Sequence, residues 1–227
     1  MRTSVHLLRH GEVHNPSGVL YGRRDGYHLS DLGRQMALRV ADTIAERDIT
    51  ALVSSPLERA RETAEPLAAA RGLSIHTDAR VIESTNVFEG RTFGVGDGVL
   101  RKPSSWRHLW NPFRPSWGEP YTQVASRMMA AVYDARDRAA GHEAVIVSHQ
   151  LPIWVTRLHA EGRRFLHDPR KRQCTLCSLT TFTFEDDALS TVSYSEPAAD
   201  LLPRRDRGAA FSAGGAAESD KPPSRDG

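Results

Sequence analysis

This sequence has a low net charge and no long apolar runs. Lysine and arginine number 30 and aspartate and glutamate 28, which leaves a formal charge of +2 on 227 residues. So small an excess gives no reason to expect binding to nucleic acid or to a membrane surface. No apolar run approaches the roughly 18 residues of a membrane-spanning helix, and the amino terminus lacks the pattern of a secretory signal. We therefore expect a soluble, cytoplasmic protein with one large domain and with neither nucleic acid nor a membrane as partner.

Cysteine is nearly absent, because Cys174 and Cys177 are the only two. A structural zinc site of the common kind needs a second such pair, so this spacing argues against zinc. Both cysteines fall in a stretch, 174–184, whose composition is typical of a strand, and residues three apart on a strand point to opposite faces. We predict that both fill the core.

Two short apolar runs, each typical of a buried strand, end in a histidine. The first leads into Arg9, His10 and Gly11, and the second leads into His149. Ligands of open α/β sheets bind beyond the carboxyl ends of the strands, which is where such histidines would lie. Glycine suits a backbone that turns sharply or approaches a ligand closely. Taken singly, each histidine could equally be an ordinary strand-to-loop corner.

A third apolar run leads to Ser55, and the four residues from there match a capping box with proline at the first helical position. Arg59 then falls in the first turns of the predicted helix, where a cation opposes the macrodipole at a cost of about 0.3–1 kcal/mol. A bound anion would compensate it. The alternative is an ion pair with Glu62 or Glu65.

Glu83 directly follows an apolar pair, so it emerges from the core. A carboxyl group held against apolar neighbours keeps its proton to higher pH, as a general acid must. A surface salt bridge at the end of a strand is the alternative.

The remaining segments predict the layers around the sheet. Ser30 caps a helix with an apolar stripe every four residues, and a second stripe runs over 124–135. The ranges 176–184 and 191–195 are predicted as edge strands.

Residues 1–202 are interpreted as one domain, and 203–227, which have no apolar periodicity, as a disordered tail. Five large side chains between Gly94 and Pro120 suggest a lid or substrate wall, with core packing as the alternative: Trp106, Trp110, Phe113, Arg114 and Trp117.

Parallel strands would bring these groups together. Right-handed crossovers make the parallel arrangement the default, and it places His10, Arg59 and His149 in one crevice. Two arginines, Arg9 and Arg59, with two histidines suit an anion that carries several oxygens, of which phosphate is the common one. The cations also disfavour protonation of His10, which leaves a neutral nitrogen able to attack.

Four stretches resemble a known family in order and in spacing. They are Leu8-Arg9-His10-Gly11-Glu12, Leu29-Ser30-Asp31-Leu32-Gly33-Arg34-Gln35, Ser54-Ser55-Pro56-Leu57-Glu58-Arg59-Ala60-Arg61-Glu62-Thr63-Ala64 and Val147-Ser148-His149. They resemble the histidine phosphatase superfamily, also called phosphoglycerate mutase-like, over about residues 3–195. The resemblance implies a three-layer α/β/α sandwich with a mostly parallel central sheet. It also implies a phosphohistidine intermediate and no metal or other cofactor.

The resemblance implies a role for each matched residue. His10 is the nucleophile, Arg9, Arg59 and His149 stabilise the transferring phosphoryl group, and Glu83 protonates the leaving oxygen and then activates water. The spacing from Glu83 to the following Phe-Glu-Gly is one residue shorter than in the family, which leaves Glu89 as the alternative acid.

Three further residues are candidates for substrate binding. The phosphate-binding asparagine of the family is displaced by one position here, to Asn15. Gln150 stands where the family usually has glycine after the second histidine. Arg23, in the loop after the first strand, completes the predicted set.

His149 lies only 66 positions after Glu83. The mutases of the family carry a longer insertion there, so the resemblance favours a phosphatase that acts on a small phosphorylated metabolite. Mutase-type phosphotransfer and a catalytically inactive phosphate-binding module on the same fold are the alternatives. Binding of nucleic acid is disfavoured because acidic residues balance the cluster of Arg101, Lys102, Arg107 and Arg114.

Overall fold

The structure, a computed structural model, describes residues 1–86, 89–90, 118–168 and 171–202. Six strands form one mixed sheet in the order β3-β2-β4-β1-β5-β6. They are β1 (Arg2–Arg9), β2 (Ile49–Ser54), β3 (His76–Thr77), β4 (Glu143–Ser148), β5 (Leu179–Glu185) and β6 (Ala188–Ser195). The first four are mutually parallel, and β5 and β6 are an antiparallel hairpin paired to β1. The mostly parallel sheet predicted from the sequence is confirmed.

Helices cover both faces of this sheet. They are α1 (Asp31–Thr43), α2 (Glu58–Arg71), α3 (Tyr121–Arg138) and α4 (Gln150–Ala160), with short 3₁₀ turns at Ala79–Val81 and Ala199–Leu201. Successive side chains of a strand point to opposite faces, so Leu7 packs in the cluster under α3 and α4, whereas Leu8 packs in the cluster under α1 and α2. The result is the predicted three-layer sandwich.

The predicted helix stripes are confirmed. Ser30 caps α1, where its side chain accepts a hydrogen bond from the Gly33 amide, and Met36 and Val40 are buried. Val124 and Met128 of α3 are also fully buried. An amphipathic period of 3.6 residues therefore located both helices correctly.

The predicted capping box is wrong. Helix α2 begins at Glu58, its N-cap is Leu57, and no side chain caps it. The Ser55 hydroxyl instead lies 2.8 Å from Nε2 of His149. The same hydroxyl accepts from the Leu57 amide at 3.4 Å, so it contacts both a histidine at the end of the neighbouring strand and the residue before the helix, but not the Glu58 amide that a capping box requires.

The predicted edge strands also need correction. Strand β5 begins at Leu179 and lies between β1 and β6, so of these two strands β6 alone is an edge strand. Cys174 and Cys177 precede β5, because the chain turns there: the Ser178 hydroxyl donates to the Thr175 carbonyl at 2.8 Å, and Cys177 has a φ of 54°. Both cysteines are free and buried, as a core role requires. Burial raises the pKa of the Cys174 thiol to about 11 and that of Cys177 to about 12.

Several predictions fall outside the described residues. They concern the segment 203–227, the basic residues and the aromatic segment. The basic residues are Arg101, Lys102 and Arg107, and the aromatic segment contains Trp106, Trp110, Phe113, Arg114 and Trp117. Within the described ranges, none of the helices is both long and apolar enough to span a bilayer.

Candidate active site

The ends of the neighbouring strands β1 and β4 bring the two predicted histidines together. Arg9 and Ser148 are register partners, and the His10 amide donates to the Ser148 carbonyl at 3.1 Å. The rings of His10 and His149 consequently lie 5.2 Å apart between centroids and are tilted by 57°. Both rings are buried. The sequence prediction of one shared crevice agrees with this geometry.

The hydrogen bond of His10 fixes its tautomer. Its Nδ1 atom lies 2.8 Å from the Gly11 carbonyl oxygen, which can only accept, so Nδ1 carries the proton. Burial, together with Arg59 and Arg9, holds the pKa of His10 well below its ordinary value of 6.5. The ring is therefore neutral at pH 7, and the lone pair on Nε2 is available for attack.

Arg59 is completely buried at the start of α2. Its Nη2 donates to the Gly22 carbonyl at 2.6 Å, and its guanidinium lies 4.7 Å from the centroid of the Tyr21 ring. Its Nε and Nη1 atoms are buried and have no hydrogen-bond partner within the described ranges. The alternative ion pair is not formed with Glu62, which instead contacts His28 and Arg34.

Arg9 and Gln150 share one acceptor. Nη1 of Arg9 donates to the Cys174 carbonyl at 2.7 Å, and Nε2 of Gln150 lies 3.4 Å from the same oxygen. Gln150 is the first residue of α4, directly after His149. The residue that departs from the family's glycine thus contacts the same carbonyl that orients Arg9.

His149 is held by Ser55. Its Nε2 contacts the Ser55 hydroxyl, whereas its Nδ1 is buried without a partner among the described residues. Burial, with Arg59 next in importance, holds the pKa of His149 well below 6.5. Ser55 is a site residue that sequence reasoning missed, because the same letters also match a helix cap.

Glu83 is half-buried, and burial raises its pKa above the ordinary 4.5. The Ser84 amide, which donates to Oε1 at 2.9 Å, and the nearby Arg59 and Arg9 oppose that rise. Within the described ranges Glu83 makes no ion pair, in contrast to the surface salt bridge that was the alternative. Glu89 accepts a hydrogen bond from the Asn86 amide at 3.1 Å. Burial thus gives Glu83 an environment that favours retention of its proton.

The two loop candidates use their polar atoms within the protein. The Asn15 amide group bonds to the backbone of Val19 through both ends, at 2.8 and 3.2 Å. Arg23 donates from Nε to the Glu83 carbonyl at 2.6 Å and from Nη2 to Glu119 at 2.9 Å. Their predicted contacts with substrate stay predictions.

Arg172 is a further cation of this region that sequence reasoning missed. Its Nε lies 2.9 Å from Nε2 of His167. Burial lowers the pKa of Arg172, and Tyr121 and Glu83 oppose that shift. No sequence signal connects it to Glu83, because the loop after α4 reaches the site only in the folded chain.

Close backbone packing supports the turn at His10. A Cβ on Gly33 would lie 2.0 Å from the Glu12 carbonyl oxygen, and one on Gly11 would lie 2.6 Å from the Gly33 carbonyl oxygen. The Gly11 amide also donates to the Thr63 hydroxyl of α2 at 3.1 Å. The first turn of α1 and the turn at His10 can touch only because both residues are glycine.

Among the described residues no group of three or more His, Cys, Asp or Glu side chains could hold a metal ion. The donors in the crevice are cationic or neutral nitrogens, a set that suits an anion.

Comparisons with known proteins agree with this geometry. The model of the histidine phosphatase superfamily (branch 1) matches residues 5–197. The chain is 56% identical over 197 residues to the uncharacterized protein Rv0525 of Mycobacterium tuberculosis, covering 87% of this chain and 98% of that protein. It is 29% identical over 188 residues to the probable phosphoglycerate mutase GpmB of Yersinia pestis, covering 80% and 85%.

A solved structure shows the same fold. Mycobacterial glucosyl-3-phosphoglycerate phosphatase Rv2419c superposes with a TM-score of 0.67 at 24% identity, covering 81% of this chain and 91% of that one. The proteins similar to this chain thus include one named as a phosphatase and one named as a probable mutase. Because the family model spans most of the chain and the fold agrees, the protein belongs to branch 1 of the histidine phosphatase superfamily.

Proposed function

We propose that the protein is a phosphatase that hydrolyses a small phosphorylated metabolite through a phosphohistidine on His10. The observation that carries the proposal is a neutral, buried His10 beside Arg59, two of whose buried nitrogens have no partner within the described ranges. A buried guanidinium is stabilised when an anion accepts from it. A phosphoryl group against Nε2 of His10 would supply that anion.

The reaction then proceeds in two steps. Nε2 of His10 forms a bond to phosphorus while the ester P–O bond breaks, and the leaving oxygen takes the proton of Glu83. In the second step the Glu83 carboxylate takes a proton from water, the water oxygen bonds to phosphorus, and the N–P bond breaks to release inorganic phosphate. Arg9, Arg59 and His149 stabilise the charge on the phosphoryl oxygens in both steps. In the proposed reaction, positively charged side chains neutralise the phosphoryl group, a task that a metal ion performs in other phosphatases. EDTA should therefore leave the rate unchanged.

Hydrolysis is favoured over transfer by the short interval between Glu83 and His149. Mutase-type phosphotransfer stays the second candidate because one relative is a probable phosphoglycerate mutase. An inactive phosphate-binding module is the third.

One experiment separates the three. The purified protein is incubated with a panel of sugar phosphates, phosphoglycerates, nucleotides and phosphopeptides, and inorganic phosphate is measured alongside acid-labile phosphate on the protein. A phosphatase releases phosphate and transiently labels His10. Transfer between two acceptors without release would indicate a mutase, and binding with neither label nor release would indicate a module. His10→Ala should abolish both signals and leave the fold intact.

A further inference from the structure

Four consecutive backbone carbonyls before and at Glu83 each accept a hydrogen bond from a side chain. Nη1 of Arg127 donates to the carbonyls of residues 80 and 82 at 2.6 and 2.8 Å. The Ser148 hydroxyl donates to the carbonyl of residue 81 at 2.7 Å, and Nε of Arg23 donates to that of Glu83 at 2.6 Å. The donors come from helix α3, from strand β4 and from the loop after β1. These elements meet at the segment 80–83.

Glu119 connects two of the donors. Its carboxylate accepts from Nε and Nη2 of Arg127 at 2.8 and 3.0 Å and from Nη2 of Arg23 at 2.9 Å. The side chains of Glu119 and Arg127 are only 15% and 16% exposed. A two-point contact between a guanidinium and a carboxylate fixes the orientation of both groups, and low exposure shields the pair from solvent screening. We name Arg127, Glu119, Arg23 and Ser148 the carbonyl clamp.

This segment has little regular structure of its own to hold it. A single 3₁₀ turn covers residues 79–81, and the chain from 82 to 85 is irregular. Carbonyls of such a segment usually bond to water, and the segment moves accordingly. Here protein donors replace water at every position from 80 to 83, so the Cα of Glu83 is fixed from three directions. The charges of Arg59 and Arg9 act on the pKa of the carboxyl group that this Cα carries.

We propose that Arg127 is a positioning residue for the general acid and acts through the carbonyl clamp. The inference rests on the proposed function, in which Glu83 protonates the leaving oxygen. A proton donor must lie within hydrogen-bond reach of that oxygen, and a misplacement of about 1 Å costs on the order of 100-fold in rate. Arg127 donates to Glu119 and to the carbonyls of residues 80 and 82 and makes no hydrogen bond to the phosphoryl pocket residues within the described ranges. Its charge also lowers the pKa of His149, behind burial and the charges of Arg59, His10 and Arg9. In the proposed reaction it does not touch the substrate. Its loss should therefore weaken proton donation and leave the binding of phosphate largely unchanged.

The leaving group distinguishes this role from a general structural one. The p-nitrophenolate group departs with little help from an acid, whereas an alkoxide needs a proton. We therefore expect Arg127→Met to lower kcat on an alkyl phosphomonoester by about 100-fold and on p-nitrophenyl phosphate by less than about threefold, with KM nearly unchanged for both. The alkyl probe is glycerol 2-phosphate, or whichever alkyl ester of the panel is hydrolysed fastest. Glu83→Gln should show the same selectivity, and the double variant should be no slower than Glu83→Gln alone.

Arg136→Met is the matched control. Arg136 lies on the same helix, its side chain is 15% exposed, and it pairs with Asp137, away from the segment 80–83. Both esters should be hydrolysed within about twofold of the wild-type rate by this control. If Arg127→Met does not fold, Glu119→Gln tests the same point, because it removes the charge of the central carboxylate and keeps its shape. It should give a smaller loss with the same selectivity.

The other outcomes separate the inference from the proposed function. Equal losses on the two esters in Arg127→Met, with a selective loss in Glu83→Gln, would overturn the positioning role and leave the phosphatase intact. An absence of selectivity in Glu83→Gln itself would overturn the role of Glu83 and the inference together. If the wild-type protein releases phosphate from none of the esters, the proposed function itself is overturned, before the inference about Arg127 can be tested.

Discussion

Oγ of Ser55 lies 2.8 Å from Nε2 of His149, and this contact joins the ends of two neighbouring parallel strands. The other ring nitrogen of His149 is buried without a partner among the described residues. Ser55 therefore holds the rotation of the ring, as outer partners of functional histidines commonly do.

Ser55→Ala should lower kcat by about 10-fold, with a small effect on KM, because the ring is no longer oriented toward the phosphoryl group. Steady-state kinetics on the best substrate of the panel measure the effect. Thr156→Ala is the control, since it also removes a buried hydroxyl, one that donates to the Pro152 carbonyl within α4. An unchanged kcat in Ser55→Ala would contradict the orienting role.

The pH dependence of the reaction follows from two opposite pKa shifts. His10 must be neutral to attack, and its pKa is lowered, so the loss of activity toward acid pH should lie below the ordinary 6.5. Glu83 must be protonated to donate, and its pKa is raised, so the loss toward alkaline pH should lie above the ordinary 4.5. The profile of kcat/KM should be bell-shaped, with its acid limb set by His10 and its alkaline limb set by Glu83.

The Glu83→Gln variant checks that assignment. It should remove the alkaline limb of the profile and retain the acid limb, since His10 is unchanged. Loss of the alkaline limb in Glu89→Gln instead would assign the acid to the alternative residue.

The arrangement of the histidines was predictable because it follows from rules that act locally. Apolar runs predict parallel strands, and residues that directly follow such strands meet at one edge of the sheet. His10 and His149 satisfy that condition, and Arg59 lies in the first turn of the helix that follows β2. The apolar stripes of helices α1 and α3 were predictable for the same reason, because they depend on residues that are close together in the sequence.

The rest depends on contacts that the sequence does not encode locally. Ser55 satisfies a capping pattern, but the nearer presence of His149 in the folded chain decides its partner. Glu119 and Arg127 are eight residues apart and look like an ordinary surface pair, yet they close on the segment before Glu83. Arg172 reaches the site from a loop without any motif. Such placements require the packed tertiary structure, because the partners are distant in the chain.

Gly33→Ala should destabilise the protein, although glycine to alanine within a helix usually stabilises by about 0.5–1 kcal/mol. The added Cβ would lie 2.0 Å from the Glu12 carbonyl oxygen, so helix α1 would have to move away from the turn at His10. We expect a loss of about 2 kcal/mol or more in the free energy of unfolding, together with a lower kcat. Urea denaturation and steady-state kinetics measure the two effects. Increased stability would show that the contact can relax without cost.

Arg59 should serve function at the expense of stability. Its buried Nε and Nη1 lack hydrogen-bond partners within the described ranges, and the charges of Glu83, Glu58 and Glu89 act on it without bonding to those nitrogens. Burial of a charge whose nitrogens are unpaired costs free energy. Arg59→Met keeps most of the apolar contact with Tyr21 and removes the charge. In phosphate-free buffer the free energy of unfolding should therefore fall by less than about 1 kcal/mol or rise, whereas kcat should fall by roughly 1,000-fold.

Inorganic phosphate provides the complementary measurement. At 100 times its Kd, phosphate should stabilise the wild-type protein by about 2.7 kcal/mol and raise its Tm, because it binds the folded state alone. Arg59→Met should lose that response. Arg61→Met, on the exposed side of the same helix, should retain it. A large destabilisation of Arg59→Met in the absence of phosphate, with the phosphate response preserved, would mean that Arg59 supports the fold and that the anion binds elsewhere.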